Sequence, residues 1–292
     1  MNPDVSTITG YVDEQRLPLI GKAILGAKSA ELFNLQTGVK STAALNLIDT
    51  TAVLGDGSVC GWDDAGTAEL TQREIEVAKL KVNMSFCDRV LLDTWAGYEV
   101  KVAAGRETLP FEETFVNGII DSINSQIETM IWQGTKGTNS FDGILTILAS
   151  ESPVTATGTG VMDAVEDVYL NIPIEVLHNA TIVMGEDQFR KYVLELTKKN
   201  LYHYDPTVDA SMEVVMPGTS VKVMGVPGLN GTDKIVAGDL KRNFFYGTDM
   251  MEDKETFDFW YSKDNQEFRV AIKFNAGVQV AYPSEIVLGT IA

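Results

Sequence analysis

The stretch Phe115-Val116-Asn117-Gly118-Ile119-Ile120-Asp121-Ser122-Ile123-Asn124-Ser125-Gln126-Ile127-Glu128-Thr129-Met130-Ile131-Trp132-Gln133-Gly134-Thr135-Lys136-Gly137 carries the most regular pattern in this 292-residue chain. Phe115, Ile119, Ile123, Ile127 and Ile131 recur every four residues, with Ile120 and Met130 widening the stripe, which is the spacing of one helix face. Upstream, Thr108-Leu109-Pro110 with Glu112 and Glu113 reads as a helix start, because proline suits the first turn and carboxylates favour the positive helix end. The spacing predicts a helix over 110–133, about 36 Å long, with one buried face. Gly134-Thr135-Lys136-Gly137 ends it, and Ser140-Phe141-Asp142-Gly143-Ile144-Leu145 follows.

On the N-terminal side, Leu17 to Leu35 reads as a short helical arm, with Leu17, Ile20, Ile24 and Ala27 at helical steps and Gly38 as its stop. It can dock on its own chain or on a neighbour. From Leu45 to Phe86 two β-like runs flank a Gly/Asp-rich centre, Gly55-Asp56-Gly57 through Gly61-Trp62-Asp63-Asp64-Ala65-Gly66, which reads as an extended hairpin. A hairpin centred near Asp64 or Ala65 would set Cys60 opposite about Glu69 and Cys87 opposite about Thr42. The return strand switches its apolar face: Ile75 and Val77 share one parity, Leu80, Val82, Met84 and Phe86 the other. A bulge or a change of environment is expected near Ala78-Lys79.

On the C-terminal side, the Thr/Gly-rich passage from Ser150 to Gly160 reads as a boundary. Beyond it come a helix Val161 to Leu170, a strand Thr181 to Met184, a helix Glu186 to Lys199 with Phe189, Tyr192, Val193 and Leu196 on one face, and strands near Val221 and Ile235, a mixed α/β pattern. Phe257, Phe259 and Tyr261 then alternate before a polar tip, Lys263-Asp264-Asn265-Gln266. Phe268, Val270, Ile272 and Phe274 alternate after it, giving two long antiparallel strands. The second continues through Val278, Val280 and Tyr282, with a bulge expected at Gly277 and an end at Pro283. No internal repeat is present.

Composition excludes several classes of function. Hydrophobic residues at 45% and charged residues at 22% are ordinary globular usage, against a disordered or fibrous chain. The formal charge of −18 comes with no Lys/Arg-rich run, so counterion release cannot drive strong nucleic-acid binding, and an anionic membrane would repel the chain. Met1 to Gly10 lacks a signal-peptide pattern and no stretch approaches a membrane span, which leads to an expectation of cytoplasmic origin. Two cysteines are too few for a disulfide framework.

No motif for catalysis, metal or cofactor emerges. His178 and His203 lie outside any recognisable motif and read as structural. Gly134-Thr135-Lys136-Gly137-Thr138 fails the spacing of a phosphate loop and follows a helix instead of joining strand to helix. Gly158-x-Gly160 lacks the third glycine of a dinucleotide fingerprint and reads as a linker. A calcium loop starting at Asp56 would place Thr67 where a glutamate is required, so Asp63-Asp64 reads as a solvated turn. Glu112-Glu113 and Glu252-Asp253 have no basic partner in sequence.

The order of these elements resembles tailed-bacteriophage major capsid proteins of the Hong-Kong-97-type coat fold, over essentially the whole chain. Ile119-Ile120-Asp121 through Gly137, then Phe141-Asp142-Gly143-Ile144-Leu145, is similar to that family's spine helix, its x-W-x-G-x-G end and the G-I/L-L continuation. Ile75 to Val90 is similar to the strand leaving the extended loop. Val221-Lys222-Val223-Met224-Gly225-Val226-Pro227, Ile235 to Leu240, and Phe268 through Pro283 resemble the end of the axial domain and the peripheral strands.

The resemblance implies an α+β fold with an N-terminal arm (1–44), an extended β-hairpin loop (45–82), a peripheral domain (83–155 and 250–283) containing the spine helix, and an axial α/β domain (156–249 and 284–292). It implies a non-enzymatic shell subunit, without cofactors, that self-assembles into pentamers and hexamers of an icosahedral head. Such a head is assembled in the host bacterial cytoplasm and encloses double-stranded DNA without sequence-specific binding. Portal, scaffolding and decoration proteins are the implied partners, with no membrane. Inter-subunit contacts are expected at the two polar tips, Trp62, Asp63 and Asp64 in the hairpin and Lys263, Asp264 and Asn265 between the C-terminal strands. One departure stands out: Asp49 to Ala78 contains no lysine, so the loop-lysine crosslink of one member of the family is not expected. Encapsulin nanocompartment shells share this fold and are the alternative.

Overall fold

The computed structural model describes residues 19, 22, 23, 25–51, 53, 66–87, 111–137, 139–199, 212–216, 218–249 and 256–292. Leu19, Lys22, Ala23 and Leu25 are helical. In chain order there follow α1 (Lys28–Leu32), β1 (Asn34–Thr37), β2 (Thr42–Thr51), β3 (Thr67–Glu76), β4 (Ala78–Cys87), α2 (Phe111–Gln133) and α3 (Ile144–Ser150). Next come β5 (Val154–Gly158), α4 (Val161–Asn171), β6 (Thr181–Gly185), α5 (Glu186–Lys198), β7 (Glu213–Val215) and β8 (Lys222–Val226). The chain continues through β9 (Lys234–Gly238), α6 (Leu240–Asn243), β10 (Phe244–Thr248), β11 (Thr256–Ser262), β12 (Glu267–Val280) and β13 (Val287–Ile291).

Helix α2 organises the molecule. Its stripe is buried as the spacing requires, with Ile119, Ile123, Ile127 and Ile131 between 0 and 5% exposed. One sheet is built on the 14-residue strand β12. Strand β4 runs antiparallel along one edge, while β11 and β10 share the other, β11 against the first half and β10 against the second. Strand β1 joins β10 in parallel. The other sheet has the order β5-β13-β9-β6-β8-β7. Its side chains alternate between two cores: Ile182, Met184, Val223 and Ile235 pack with α4 and α5, whereas Val183, Met224 and Val236 join the core that contains α2. A sheet covered on both faces reads as a continuous apolar run, as β6 and β9 do.

Several expectations are corrected. The arm does not end as a helix: after Phe33 the chain becomes β1; Leu17, Ile20 and Ile24 lie outside the described residues, among which Leu19, Ala23, Ala27 and Ala30 are buried. The Thr/Gly-rich passage is not a linker; Val154–Gly158 is strand β5, paired in parallel with β13. It cuts across the boundary drawn at 155, and β10, assigned by sequence to the 156–249 unit, pairs instead with β12. The hairpin boundary at 82 moves to Val77, where the chain leaves β3 for β4 and changes sheets. That change of sheet is why the apolar parity switches.

The hairpin centre also shifts. Thr42 pairs with Glu76 and Thr51 with Thr67, a register centred on residue 59 and not on Asp64 or Ala65. Glu69 therefore faces Asp49, and Cys87 faces Glu267 across β4 and β12. No bulge occurs at Gly277 against β10, whose register passes it unbroken, while the β4 register ends one residue earlier at Ala276. The glycine serves close approach instead: a Cβ there would stand 2.2 Å from the Glu76 carbonyl oxygen and 2.9 Å from Val77 Cα. Strand β12 stops at Val280, so Tyr282 lies beyond it.

Tyr192, on the inner face of α5, is 2% exposed. Burial, with a smaller contribution from the Glu166 carboxylate, pushes its phenol up to about 12. An unfolded chain ionises the same phenol near 10. A folded pKa above the unfolded one leaves this contribution to stability intact below pH ~10 and removes it as pH rises toward ~12. The expected result is that Tyr192, identified in ultraviolet titration by comparison with Tyr192→Phe, ionises in the folded chain only as pH approaches about 12. Ionisation of Tyr192 near pH ~10 in a folded chain would contradict its burial.

Candidate assembly surfaces

The β2–β3 ribbon is fixed at its base and open beyond it. Ile75 is fully buried against Val39, Leu45 and Val77. Arg73 forms an ion pair with Glu151 and donates a longer bond to the Ala281 carbonyl. The Gln279 side-chain amide donates to the Glu74 carbonyl at 2.6 Å. Lys136, from the Gly-Thr-Lys-Gly segment after α2, places its ammonium 2.5 Å from the Glu76 carboxylate, whose hydrogen bond and charge raise the lysine pKa. That segment is thus a brace for the ribbon.

Beyond Arg73 the β3 strand lies open, although Leu47 of β2, opposite Thr71, is still buried at 7% exposure. Thr67 to Gln72 are all exposed, six residues or about 20 Å of strand. Ile48 and Leu70 face each other across this part of the ladder and are 62% and 77% exposed. A lone two-stranded ribbon is marginal in water, and an exposed aliphatic pair on it is a surface suited to another chain.

The arm, by contrast, is locked to its own subunit. Glu128 is 2% exposed on the buried side of α2. Its carboxylate accepts from the Ser29 amide at 2.9 Å and from the Ser29 hydroxyl at 2.6 Å, while the Trp132 indole donates to that hydroxyl at 2.7 Å. Phe33 stacks on Phe244 at 5.2 Å and meets Trp132 edge-on at 5.8 Å. The Trp-x-Gly end of α2 has a packing reason. A Cβ on Gly134 would stand 2.4 Å from the Phe141 carbonyl and one on Gly143 2.5 Å from the Gly134 amide, so the chain folds back there without side chains.

Of the contact residues expected from sequence, Trp62, Asp63 and Asp64 lie outside the described residues. Lys263, Asp264 and Asn265 form the exposed four-residue turn between β11 and β12, closed by Gln266 at φ 54°. The structure does not bring this turn to the ribbon base. Sequence reading missed the Ile48–Leu70 pair, whose signal is two aliphatics in register on the polar face of a hairpin. His178 is exposed in a short 3-10 turn, while His203 and Cys60 lie outside the described residues. Among the described residues no cluster of His, Cys, Asp or Glu could hold a metal ion, and no helix is long and apolar enough to cross a membrane.

No protein-family model and no curated protein matches this sequence. Solved structures do. The capsid of a native GTA particle is similar with a TM-score of 0.62 at 13% identity, covering 93% of this chain and 91% of that one. The procapsid of satellite phage P4 that includes the size determination protein gives 0.61 at 13%, covering 100% and 92%. This chain has the fold of the tailed-phage capsid proteins. A virus-like particle from Pyrococcus furiosus is similar too, with a TM-score of 0.52 at 10% identity, covering 94% and 97%.

Proposed function

We propose that this chain is the major capsid protein of a tailed bacteriophage, a structural subunit that builds the head by assembly with copies of itself. The observation that carries this reading is a capsid fold spanning 93% and 100% of the chain in the GTA and P4 likenesses, with neither partner much longer. The open ribbon supports it, because its aliphatic pair asks for a neighbour. In this reading the copies form pentamers and hexamers of an icosahedral shell around double-stranded DNA, by heterologous contacts that close into rings. Portal, scaffolding and decoration proteins are the further partners, the host bacterial cytoplasm is the place of assembly, and the role is structural, not catalytic.

Negative-stain microscopy of the expressed chain tests the proposal: closed shells or rings are expected, and a stable monomer at high concentration would overturn it. The likeness to the Pyrococcus furiosus particle favours one second reading, an encapsulin-like nanocompartment shell. Packaged DNA supports the head, whereas enzymes co-purifying inside the shell support the compartment.

Assembly in either reading is noncovalent, since Asp49 to Ala78 contains no lysine. Denaturing gels of mature particles without reductant should show a single band near 31.9 kDa. Added salt should promote assembly by screening repulsion between chains that each carry −18, at distances beyond about 10 Å at 0.1 M. A ladder of covalent multimers would refute the first expectation, and shells that dissociate as salt rises would refute the second.

A further inference from the structure

The sequence has no basic run, but the fold gathers one from distant segments. Lys79 and Lys81 of β4, Lys273 of β12 and Lys40, between β1 and β2, line one open cleft of about 650 Å³. All four are exposed. Lys81 and Lys273 are direct cross-strand partners, and Lys79 stands opposite Asn275. Like charges directly opposite each other oppose strand pairing. Some cations elsewhere meet carboxylates, as in Arg73–Glu151, Lys136–Glu76, Lys222–Glu213 and Arg242–Glu285, while others stand singly on the surface, as Lys241 and Lys263 do. Among the described residues, Lys79, Lys81 and Lys273 have no such ion pair. A chain of net charge −18 has carboxylates in excess, so concentrating unpaired lysines here is a repulsive arrangement that an anionic ligand would relieve.

Among the described residues the cleft contains one carboxylate, Asp249, which is 2% exposed and has an Oδ1 without a hydrogen-bond partner. Lys79, Lys81 and Lys273 against this one acid leave a local charge of 3 − 1 = +2 among the described residues. Beyond Lys273 the same face continues into a second depression lined by Arg269, Trp260, Asn83 and Ser85. Glu267 lies 3.8 Å from Arg269, and the Trp260 ring is 42% exposed. Lys79 and Lys81 repeat at two-residue strand spacing, about 6.6 Å. Mobile ammonium groups in a row, beside hydrogen-bonding side chains and one aromatic face, suit a chain of phosphates and carry no base-reading geometry.

We propose that this lysine cleft binds the phosphodiester backbone of nucleic acid without sequence preference. The site goes beyond the capsid reading, because a shell can enclose DNA without gripping it. It belongs to the single subunit and is therefore measurable whether or not shells form.

The test is fluorescence anisotropy of the full unassembled chain with a short labelled oligonucleotide, single- and double-stranded. If three lysines neutralise phosphates, binding to duplex should fall with a logarithmic salt slope of about −2.7, roughly 500-fold for a tenfold rise in salt. The variant carrying Lys79→Gln, Lys81→Gln and Lys273→Gln should keep its circular dichroism and bind at least about 100-fold more weakly at low salt, with the salt slope nearly abolished. Arginine at the same three positions should restore binding, and Lys222→Gln on the six-stranded sheet should leave it unchanged. Absence of wild-type binding at low salt, or unchanged affinity in the triple variant, overturns the proposal. Loss of shell assembly in the triple variant with oligonucleotide binding retained also overturns it, and would assign the cleft to an acidic segment of a neighbouring copy. Expected binding by a wild-type chain that makes no shells would sink the capsid reading and leave this one standing.

Discussion

Replacing Ile48 and Leu70 together by aspartate is expected to give a folded subunit that no longer closes into shells. The two side chains are 62% and 77% exposed in the subunit, so their loss removes little from its own core. If a neighbour buries them, each is worth about 1.5–3 kcal/mol, and losing both weakens every such contact by about 3–6 kcal/mol. That is on the order of 10² to 10⁴ in each association constant, repeated around every ring. Light scattering should report subunits in place of shells, and circular dichroism should match the parent. Normal shells from the double variant would mean that the ribbon is not where copies hold one another.

Ile123→Asp acts on the fold itself and should abolish soluble folded protein. Ile123 is 3% exposed at the centre of the α2 stripe. Truncating such a side chain to alanine already costs about 2–5 kcal/mol, and a buried carboxylate without a partner adds several more. A whole domain is typically stable by only about 5–15 kcal/mol. The conservative Ile123→Val should cost about 0.5–1.5 kcal/mol and fold normally. Soluble yield and far-ultraviolet circular dichroism distinguish the two. An aspartate variant with normal yield and helicity would place this helix face in solvent.

What was legible in the sequence was what repeats locally. The α2 stripe, the α5 face and the β11–β12 alternation announce themselves because each element is long enough to show its period. Strand β1 has four residues and β5 five, and each gains its place from a partner far along the chain, Phe245 for Asn34 and Val287 for Val154. Nothing within a short window carries that information. The Gly/Asp cluster at 61–66 drew the hairpin centre toward itself, while the ladder places it nearer Val59. The lysine cleft was illegible for a related reason: residues 40, 79, 81 and 273 become neighbours only when β4 lies on β12. The Ile48–Leu70 pair was hidden because register, not composition, puts the two side by side.

The parallel pairing of β1 with β10 also sets a schedule for making the protein. Asn34 pairs with Phe245, a separation of 245 − 34 = 211 residues. At ribosomal rates of about 5–20 residues per second, β1 waits roughly 10–40 s for its partner. During that interval Phe33 lacks the Phe244 ring on which it stacks, and the apolar face of Leu19, Ala23 and Ala27 lacks much of its cover. The nascent arm therefore emerges early and sticky, and the subunit closes only once its distal strands have been synthesised. High-level expression should strain chaperone capacity at this arm first, well before any shell begins to form.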